Sequence, residues 1–355
     1  MKVGVTSGDW FHPKRTGTNA PHWGGSGWAR VGQYASLLPF DVCVGVLTWI
    51  DDHFYVMDVD EVMHDPEIII MQRLMHDGLD VHILKARAYG QKIINDMDDW
   101  YWGLSPSNQA FTVNHPKHNP KENINHYKSV ISKSDLVTVS TPYLLDRLSS
   151  FVRAPMVLLP NYVDTARFTP FVHQDVEVPT VGWIGSTGHR SGDIETIAGW
   201  LRPMAERGEV RLYHGGDHVS SPSFASKLGV APELVRTQQM KPAEEYPSLM
   251  DMDIGVIPLS MMPFNEAKSD IKGLEYASAG IPFVAQATGS YKALRDLHGI
   301  GLVAGKPSTW IKHIKSLRDY NYRTQLAEQG LESVKQRDIQ YGVERLGDII
   351  RSISS

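Results

Sequence analysis

Short apolar runs alternate with amphipathic stretches along the first half of the chain. The runs are rich in valine, isoleucine and leucine and occupy residues 2–8, 41–47, 67–72, 136–141 and 156–161. Runs of this length are typical of buried strands, and the amphipathic stretches between several of them suit crossover helices. Strands that alternate with helices in this way predict a parallel sheet with helices on both faces.

A second series of apolar runs follows the polar stretch 162–179. These runs occupy residues 180–186, 209–216, 235–240, 253–260, 281–286 and 300–305. After Lys306 the pattern becomes helical, with Trp310, Ile314 and Leu317 at helical spacing. The sequence therefore predicts an α/β protein of two doubly wound, Rossmann-like domains with a helical C-terminal tail. Ligands bind such sheets at the carboxyl ends of the strands.

The composition excludes several classes of protein. The 355 residues carry 35 Lys and Arg against 40 Asp and Glu, a formal net charge of -5, so no global basic field favours nucleic acid. The single cysteine, Cys43, allows no intramolecular disulfide, and its apolar surroundings predict a buried thiol. No apolar run approaches the ~20 residues that span a bilayer, and Asp9 precedes any apolar region of signal-peptide length. We therefore expect a cytoplasmic protein without a membrane span.

The segment 263–285 carries the richest candidate chemistry. It follows a predicted strand and enters a predicted helix near Ser269, which we expect to cap that helix while Asp270 complements its dipole. A helix N-terminus with Lys268 beside it suits a phosphate. Glu275 lies six residues beyond Ser269, about 9 Å along a helix, and its carboxylate can accept hydrogen bonds from two ribose hydroxyls. Spacing alone leaves open a capped amphipathic helix with solvated charges.

Two glycine-containing turns are further candidates. The string GSTGHRSGD at 185–193 ends a predicted strand, and Gly185 with Ser186 would let the backbone approach a ligand that Arg190 binds through its fork of donors. It matches neither the dinucleotide fingerprint nor the phosphate-binding loop with Lys-Ser/Thr. In WGGSGWAR at 23–30, Gly24 and Gly25 give a flexible segment able to close over a ligand. A solvated turn and a mobile surface loop remain the alternatives.

Acidic and histidine residues give weaker signals. Asp96, Asp98 and Asp99 contain the letters of a metal-binding D-x-D motif, but the same letters recur elsewhere in the chain, so we predict no metal site. His115 and His118 flank a proline that disfavours a regular helix, which argues against a shared zinc ion. His115 alone remains a candidate cleft residue, against the commoner role of a solvated or packed ring.

Four strings resemble one enzyme family. DIGVIPLSMMPFNEAKSDIKGLEYASAGIPFVA at 253–285 closely resembles the nucleotide-sugar segment of retaining GT-B glycosyltransferases, in the family-4-like group found in bacteria and phages. The strings at 134–148, 158–164 and 181–195 resemble that group's last N-terminal unit, its interdomain crossing and the opening of its donor domain. The resemblance covers about half of the chain, in the expected order. It implies a GT-B fold with an interdomain cleft.

The resemblance also implies domain roles and boundaries. We expect an acceptor-side domain at 1–163, a nucleotide-sugar-binding domain at 164–335, and a C-terminal helix at 336–355 that packs back on the first domain. The family's N-domain histidine would correspond to His115, although no local motif secures that assignment.

For the donor, the resemblance implies that Lys268 and Ser269 meet the diphosphate, Glu275 the ribose, and Arg190 the diphosphate from the other side of the cleft. The family's paired glutamates stand eight positions apart, whereas Glu266 and Glu275 are nine apart, which puts the sugar-binding role of Glu266 in doubt. Arg190 lacks the lysine that follows it in many relatives. Lys268 or Lys272 would replace that lysine.

The expected function is transfer of a hexose, with retention of configuration, from a nucleotide diphosphate sugar to a hydroxyl acceptor. We expect a UDP-sugar, with a GDP-sugar as the other option, and no obligatory cofactor or metal. The acceptor would be a protein, a glycan or a lipid-linked sugar. The alternatives are a nucleotide-sugar epimerase of the same architecture and a non-catalytic sugar-nucleotide or glycan-binding protein. An NAD-dependent oxidoreductase has less support because the dinucleotide fingerprint is missing.

Overall fold

The computed structural model describes residues 1–17, 20–188 and 192–354, which form two compact units. The N-terminal unit comprises Met1–Leu104, Ala110–Tyr162 and the chain from Ile339 to its last described residue. The C-terminal unit comprises Ser105–Gln109 and Val163–Asp338. Each unit is built on a six-stranded parallel sheet.

The sheet of the N-terminal unit has the strand order β11-β10-β9-β8-β1-β4. Its helices connect parallel strands, as the alternating pattern predicts. The strands up to residue 162 are β1 (Lys2–Ser7), β2 (Trp10–Phe11), β3 (His22–Trp23), β4 (Asp41–Val44), β5 (Val46–Ile50), β6 (His53–Met57), β7 (Met63–His64), β8 (Ile68–Gln72), β9 (Lys92–Met97), β10 (Leu136–Val139) and β11 (Met156–Leu158). The helices are α1 (Pro13–Thr16), α2 (Gly25–Gly27), α3 (Gln33–Ala35), α4 (Leu79–Ala88), α5 (Gln109–Asn114), α6 (Ile124–Ser132) and α7 (Pro142–Ser149), with a π-helical turn at Trp28–Gly32 and a 3-10 turn at Tyr101–Gly103.

The central strand β9 is absent from the apolar runs of the sequence. It pairs with β8 on one side and β10 on the other, yet it carries the buried polar residues Asn95 and Asp96. Asp96 is accommodated because Arg30 and Thr138 satisfy its carboxylate. A strand with buried, paired polar groups does not show the apolar pattern on which the prediction depends.

The apolar run 41–47 is two strands rather than one. β4 ends at Val44 and joins the parallel sheet, whereas β5 begins at Val46 and forms an antiparallel sheet with β6 and β7. Gly45 stands at the change of sheet, and a Cβ atom there would lie 2.0 Å from the carbonyl oxygen of Met57. Only glycine permits this close approach of two backbones.

The sheet of the C-terminal unit has the order β14-β13-β12-β15-β16-β17, and all neighbouring strands are parallel. Two buried apolar clusters surround it, one around Trp183 and Trp200 and the other around Tyr276 and Phe283. The strands are β12 (Thr180–Ile184), β13 (Arg211–Asp217), β14 (Val235–Gln239), β15 (Ile254–Ile257), β16 (Phe283–Gln286) and β17 (Leu302–Ala304). The helices are α8 (Glu195–Glu206), α9 (Phe224–Leu228), α10 (Pro263–Glu266), α11 (Ile271–Ser278), α12 (Gly289–His298), α13 (Pro307–Ser316) and α14 (Tyr320–Ser333), with 3-10 turns at Thr165–Arg167, Pro232–Leu234, Tyr246–Leu249 and Val334–Arg337.

The C-terminal end of the chain is helical. α13 and α14 belong to the C-terminal unit, and the last helix, α15 (Ile339–Ser354), belongs to the N-terminal unit. There Gly342 lies so close to the rings of Tyr162 and Tyr34 that an added Cβ would approach them to 2.7 and 2.9 Å. Within the described part of the chain, no helix is long and apolar enough to cross a membrane.

Candidate functional site

The topology of the C-terminal unit puts a ligand crevice at the carboxyl ends of β12 and β15. These strands are neighbours, and the chain order reverses between them, because β13 and β14 continue on one side and β16 and β17 on the other. Open parallel sheets bind ligands outside the carboxyl edge at such a reversal. The segments that leave this edge begin at Gly185 and at Pro258, so the strings at 181–195 and 253–285 meet here.

Helix α11 starts at this edge with an arrangement that the sequence only partly predicts. The N-cap is Asp270, and its side chain makes no capping hydrogen bond, so the prediction that Ser269 caps the helix is wrong. Lys268 and Ser269 directly precede the cap. The Lys268 ammonium lies 4.2 Å from the centre of the Phe264 ring. The backbone carbonyl oxygen of Lys268 accepts a hydrogen bond of 2.6 Å from Ser290 Oγ at the start of α12. The first turn of α11 therefore stands beside a lysine.

Glu275 and Lys272 form an ion pair on the same helix. Lys272 Nζ lies 2.9 Å from Glu275 Oε2, and the two side chains are 15% and 18% exposed. Lys272 also donates to the hydroxyl of Tyr246 and covers the Tyr246 ring at 4.4 Å. Burial lowers the pKa of nearby Arg167, and Glu275 is among the carboxylates that counter this effect. Glu275 is thus a half-buried carboxylate with cations around it.

Asp193 joins the segment after β12 to the segment after β15. Its buried Oδ1 accepts hydrogen bonds from Ser260 N (2.9 Å), Ser260 Oγ (2.7 Å) and Asn265 Nδ2 (2.7 Å). Asn265 belongs to α10, whose last residue is the half-buried Glu266. A carboxylate with three donors fixes both segments where they leave the sheet.

Gly185 follows β12 in a conformation that favours glycine, with φ of 134°. Its N–H donates to the carbonyl of Gly215 (2.8 Å), and His214 Nε2 lies 3.0 Å from its carbonyl oxygen. Burial lowers the pKa of His214, whose ring stacks on Trp183 at 5.3 Å. Ser186 follows, and its hydroxyl accepts from Gly188 N at 3.3 Å. Arg190 lies outside the described residues.

The glycine loop of the N-terminal unit is held by one arginine. Arg73 follows β8 with φ of 59° and donates to Ser26 Oγ (3.0 Å) and to Asp9 Oδ2 (2.7 Å), which also accepts from Gly27 N (3.1 Å). Gly24 N donates to the carbonyl of Asp9 (2.7 Å), and an added Cβ at Gly25 would meet no atom. The glycine segment therefore begins on a fixed anchor at the carboxyl edge of the sheet.

The aspartates after and within β9 are ion-pair partners. Arg73 binds Asp98 at 2.9 Å and Asp99 at 3.0 Å. Burial alone would lower the pKa of Arg73, but the carboxylates around it outweigh this effect and raise that pKa well above its usual value. Asp96 forms two hydrogen bonds of 2.9 and 2.7 Å with Arg30. Among the described residues, no group of three or more His, Cys, Asp and Glu side chains is arranged to hold a metal ion.

His115 follows α5 in the N-terminal unit. Its ring stacks on Phe111 at 4.6 Å, and its Nδ1 accepts from Lys117 N at 3.2 Å. The ring is half-buried. No partner of opposite charge is recorded for it among the described residues.

Three residues around the C-terminal site were missed by sequence reasoning: Asp193, Tyr246 and Arg337. Asp193 stands inside the string at 181–195 but shows no local pattern that predicts its partners. Tyr246 and Arg337 are distant from α11 in sequence and reach it only through the fold. Arg337 binds the Asp270 carboxylate at 2.9 Å.

Comparison with known proteins identifies the fold. No protein-family model and no curated protein matches the sequence. Among solved structures, a sucrose-phosphate synthase from Thermosynechococcus elongatus is similar with a TM-score of 0.66 at 14% identity, over 99% of each chain. HepE from Anabaena, solved in complex with UDP and glucose, is similar with a TM-score of 0.66 at 13% identity. The match covers 99% of this chain and 100% of the HepE chain. A glycosyltransferase from Rickettsia africae is similar with a TM-score of 0.57 at 11% identity, and the match covers 81% of this chain and 76% of the Rickettsia chain.

The chain has the GT-B fold. The GT-B assignment confirms the predicted fold class of two Rossmann-like domains with a helical C-terminal end. At these low identities, the similarity of this chain to solved GT-B structures establishes its fold alone. Its activity must be argued from the residues of the site.

Proposed function

We propose that the protein is a retaining glycosyltransferase that moves a hexose from a nucleotide diphosphate sugar to a hydroxyl acceptor. The observation that carries the proposal is the start of α11. The N-cap residue of α11, Asp270, makes no side-chain capping hydrogen bond, and it follows Lys268 and Ser269 at the strand-order reversal. Glu275 stands six residues beyond Ser269 on the same helix. Helix N-termini bind phosphate, and a carboxylate about 9 Å further along a helix suits the ribose.

The proposed chemistry is electrostatic. As the bond to the sugar breaks, charge develops on the diphosphate, and Lys268, Arg190 and the N–H groups of α11 stabilise it. Ser269 contacts the diphosphate and Glu275 accepts from the ribose, with Lys272 holding the Glu275 carboxylate in place. The departing phosphate takes the proton of the acceptor hydroxyl, so the reaction requires neither a protein base nor a metal. Gly185 and Ser186 let the backbone approach the donor closely.

The N-terminal unit is proposed to serve the acceptor. Gly24 and Gly25 belong to the loop anchored by Arg73, and the half-buried His115 completes the candidate residues of this unit. Glu266 is proposed to contact the transferred sugar despite its shifted spacing. We propose a protein, glycan or lipid-linked sugar as acceptor and a cytoplasmic reaction, in a bacterial or phage context.

A UDP-sugar is the proposed donor, with a GDP-sugar as the other option. HepE, which shares the fold over 99% of this chain, has been solved with UDP-glucose. This supports a uridine nucleotide as the donor because the two chains share the GT-B fold. An epimerase would convert the donor without an acceptor, and a binding protein would take up nucleotide without consuming it.

The test is donor consumption. The protein is incubated with UDP-glucose, other UDP-sugars and GDP-mannose, with and without EDTA and a panel of hydroxyl acceptors, and released nucleotide is measured. We expect acceptor-dependent release of one nucleotide, unchanged by EDTA, with product of the donor's anomeric configuration by NMR. An isomerised sugar nucleotide without acceptor would establish the epimerase. Nucleotide binding without turnover in any mixture would favour the binding protein.

A further inference from the structure

The N-cap carboxylate of α11 is bound by an arginine from the far end of the C-terminal unit's sequence. Arg337 Nη1 donates to Asp270 Oδ2 at 2.9 Å, and Nη2 donates to Oδ1 at 3.2 Å. The two side chains are 11% and 12% exposed. This is the two-bond geometry in which arginine recognises a carboxylate most specifically.

An aspartate at an N-cap normally does something else. Its side chain accepts hydrogen bonds from N–H groups of the first helical turn, which satisfies them and places a negative charge there. Asp270 occupies the N-cap position, and its backbone carbonyl accepts from Gly273 N (2.8 Å) and Leu274 N (3.1 Å). Its carboxylate makes no capping bond and is directed to Arg337 instead.

Arg337 is itself held firmly. It ends the 3-10 turn Val334–Arg337, and its carbonyl accepts from Val163 N at 3.0 Å. Asp338, the next residue, accepts from Thr165 N at 3.3 Å. Val334 at the start of the turn is buried in the same apolar cluster as Leu274 of α11. The guanidinium is therefore fixed relative to the start of α11.

We propose that Arg337 is a positioning residue for the donor diphosphate. By binding the Asp270 carboxylate through two hydrogen bonds, it neutralises a negative charge at the end of α11 where the diphosphate is proposed to bind. The inference rests on the proposed function, because it assigns a role within the same nucleotide site. The inference also extends the nucleotide site to Arg337, which lies 67 positions from Asp270 in the sequence.

The test compares two ligands that differ only in phosphate. Affinities for UDP and for uridine are measured by calorimetry on the full chain carrying Arg337→Met. Without Arg337, the unneutralised Asp270 carboxylate would repel the diphosphate, so UDP should bind about tenfold more weakly while uridine changes by less than about twofold. Asp270→Ala in the Arg337→Met background removes the carboxylate and should restore the UDP affinity to within about threefold of wild type.

Arg323→Met is the matched control. Arg323 is a buried arginine of the same unit, bonded to the carbonyls of Leu317 (2.9 Å) and Gln174 (2.7 Å) and located near Asp253, at the amino end of β15, the opposite edge of the sheet. This variant should lower the melting temperature without changing the ratio of UDP to uridine affinity. The ratio thus separates a positioning role from a loss of stability.

An unchanged ratio in folded Arg337→Met would overturn the inference while leaving the proposed function intact. If Arg337→Met does not fold, the single variant Asp270→Ala is measured instead. The inference requires Asp270→Ala to bind UDP at least as tightly as wild type. A tenfold loss of UDP affinity in this variant would contradict the inference. If wild-type protein binds uridine but UDP no more tightly, the phosphate site itself is wrong. The proposed function then fails together with the inference.

Discussion

Replacing Glu275 by glutamine removes one negative charge from the proposed ribose site and changes little else in shape. The carboxylate lies on α11 with Oε2 at 2.9 Å from Lys272 Nζ. The amide of glutamine keeps one acceptor oxygen and turns the other position into a donor. If the two ribose hydroxyls both donate to Glu275, at least one of these hydrogen bonds is lost in the variant.

The expected size follows from the chemistry of the contact. A hydrogen bond to a charged group contributes about 1.5 to 3 kcal/mol, and about 1.4 kcal/mol is a tenfold change in affinity. Loss of one such bond should therefore weaken UDP binding about 10- to 100-fold. Lys272 keeps its contact with the Tyr246 hydroxyl, so we expect the helix to remain folded.

The assay uses a second ligand to localise the effect. UDP and 2′-deoxy-UDP are titrated into wild-type protein and Glu275→Gln. Wild type should prefer UDP by about tenfold, because the deoxy ligand lacks one hydroxyl donor, and Glu275→Gln should lose most of that preference. Glu332→Gln is the control, since Glu332 also pairs with a lysine three residues away, on the exposed surface of α14.

Two results would exclude a contact between Glu275 and the ribose. One is an unchanged UDP affinity in Glu275→Gln, which would remove the carboxylate from the nucleotide site. The other is an equal loss for UDP and 2′-deoxy-UDP with the wild-type preference retained. That outcome would mean that Glu275 acts through the Lys272 ion pair on the structure of α11 and does not contact the ribose.

Three further predictions concern single side chains. Lys268→Ala should lower turnover more than about tenfold with an unchanged circular dichroism spectrum, and near-wild-type rates would remove Lys268 from the mechanism. Asp96→Ala leaves the buried Arg30 without its carboxylate and should cost about 3 to 5 kcal/mol in denaturant unfolding; a loss below about 1 kcal/mol would contradict the pairing. Burial raises the pKa of Cys43 from 9.0 to about 11. Between these pH values the Cys43 thiol is therefore ionised in the unfolded chain and still protonated in the folded protein. The stability of wild type relative to Cys43→Ala should then fall by about 2 kcal/mol as pH rises, and a constant difference would refute the shift.

Much of the fold follows from the sequence because its core strands are short and apolar. Every apolar run identified in the sequence overlaps a strand of the structure. The pattern fails at β9, where Asp96 is buried in the sheet against Arg30, a residue 66 positions away. It also fails at Gly45, where a backbone contact with Met57 divides one apolar run into two strands.

The candidate site follows from the sequence only where its residues are neighbours in the chain. Lys268, Ser269 and Glu275 lie on one segment, so helical spacing relates them directly. The pairing of Asp270 with Arg337 is decided by how the Val334–Arg337 turn packs near α11, and no local pattern records it. Local propensity even points the wrong way here, because it predicts Ser269 as the cap, whereas the N-cap is Asp270 and its side chain makes no capping hydrogen bond.

The most direct test of a diphosphate site on α11 is a thermal-shift panel of UDP, GDP, ADP and their common sugar conjugates, with and without EDTA, on wild type and Lys268→Ala. A ligand that binds only the folded state stabilises it by about 2.7 kcal/mol at 100 times its dissociation constant. We expect a selective rise in melting temperature with UDP or a UDP-sugar, insensitive to EDTA and diminished in Lys268→Ala. No shift with any nucleotide would contradict the assignment of α11 as a diphosphate site and, with it, the glycosyltransferase proposal.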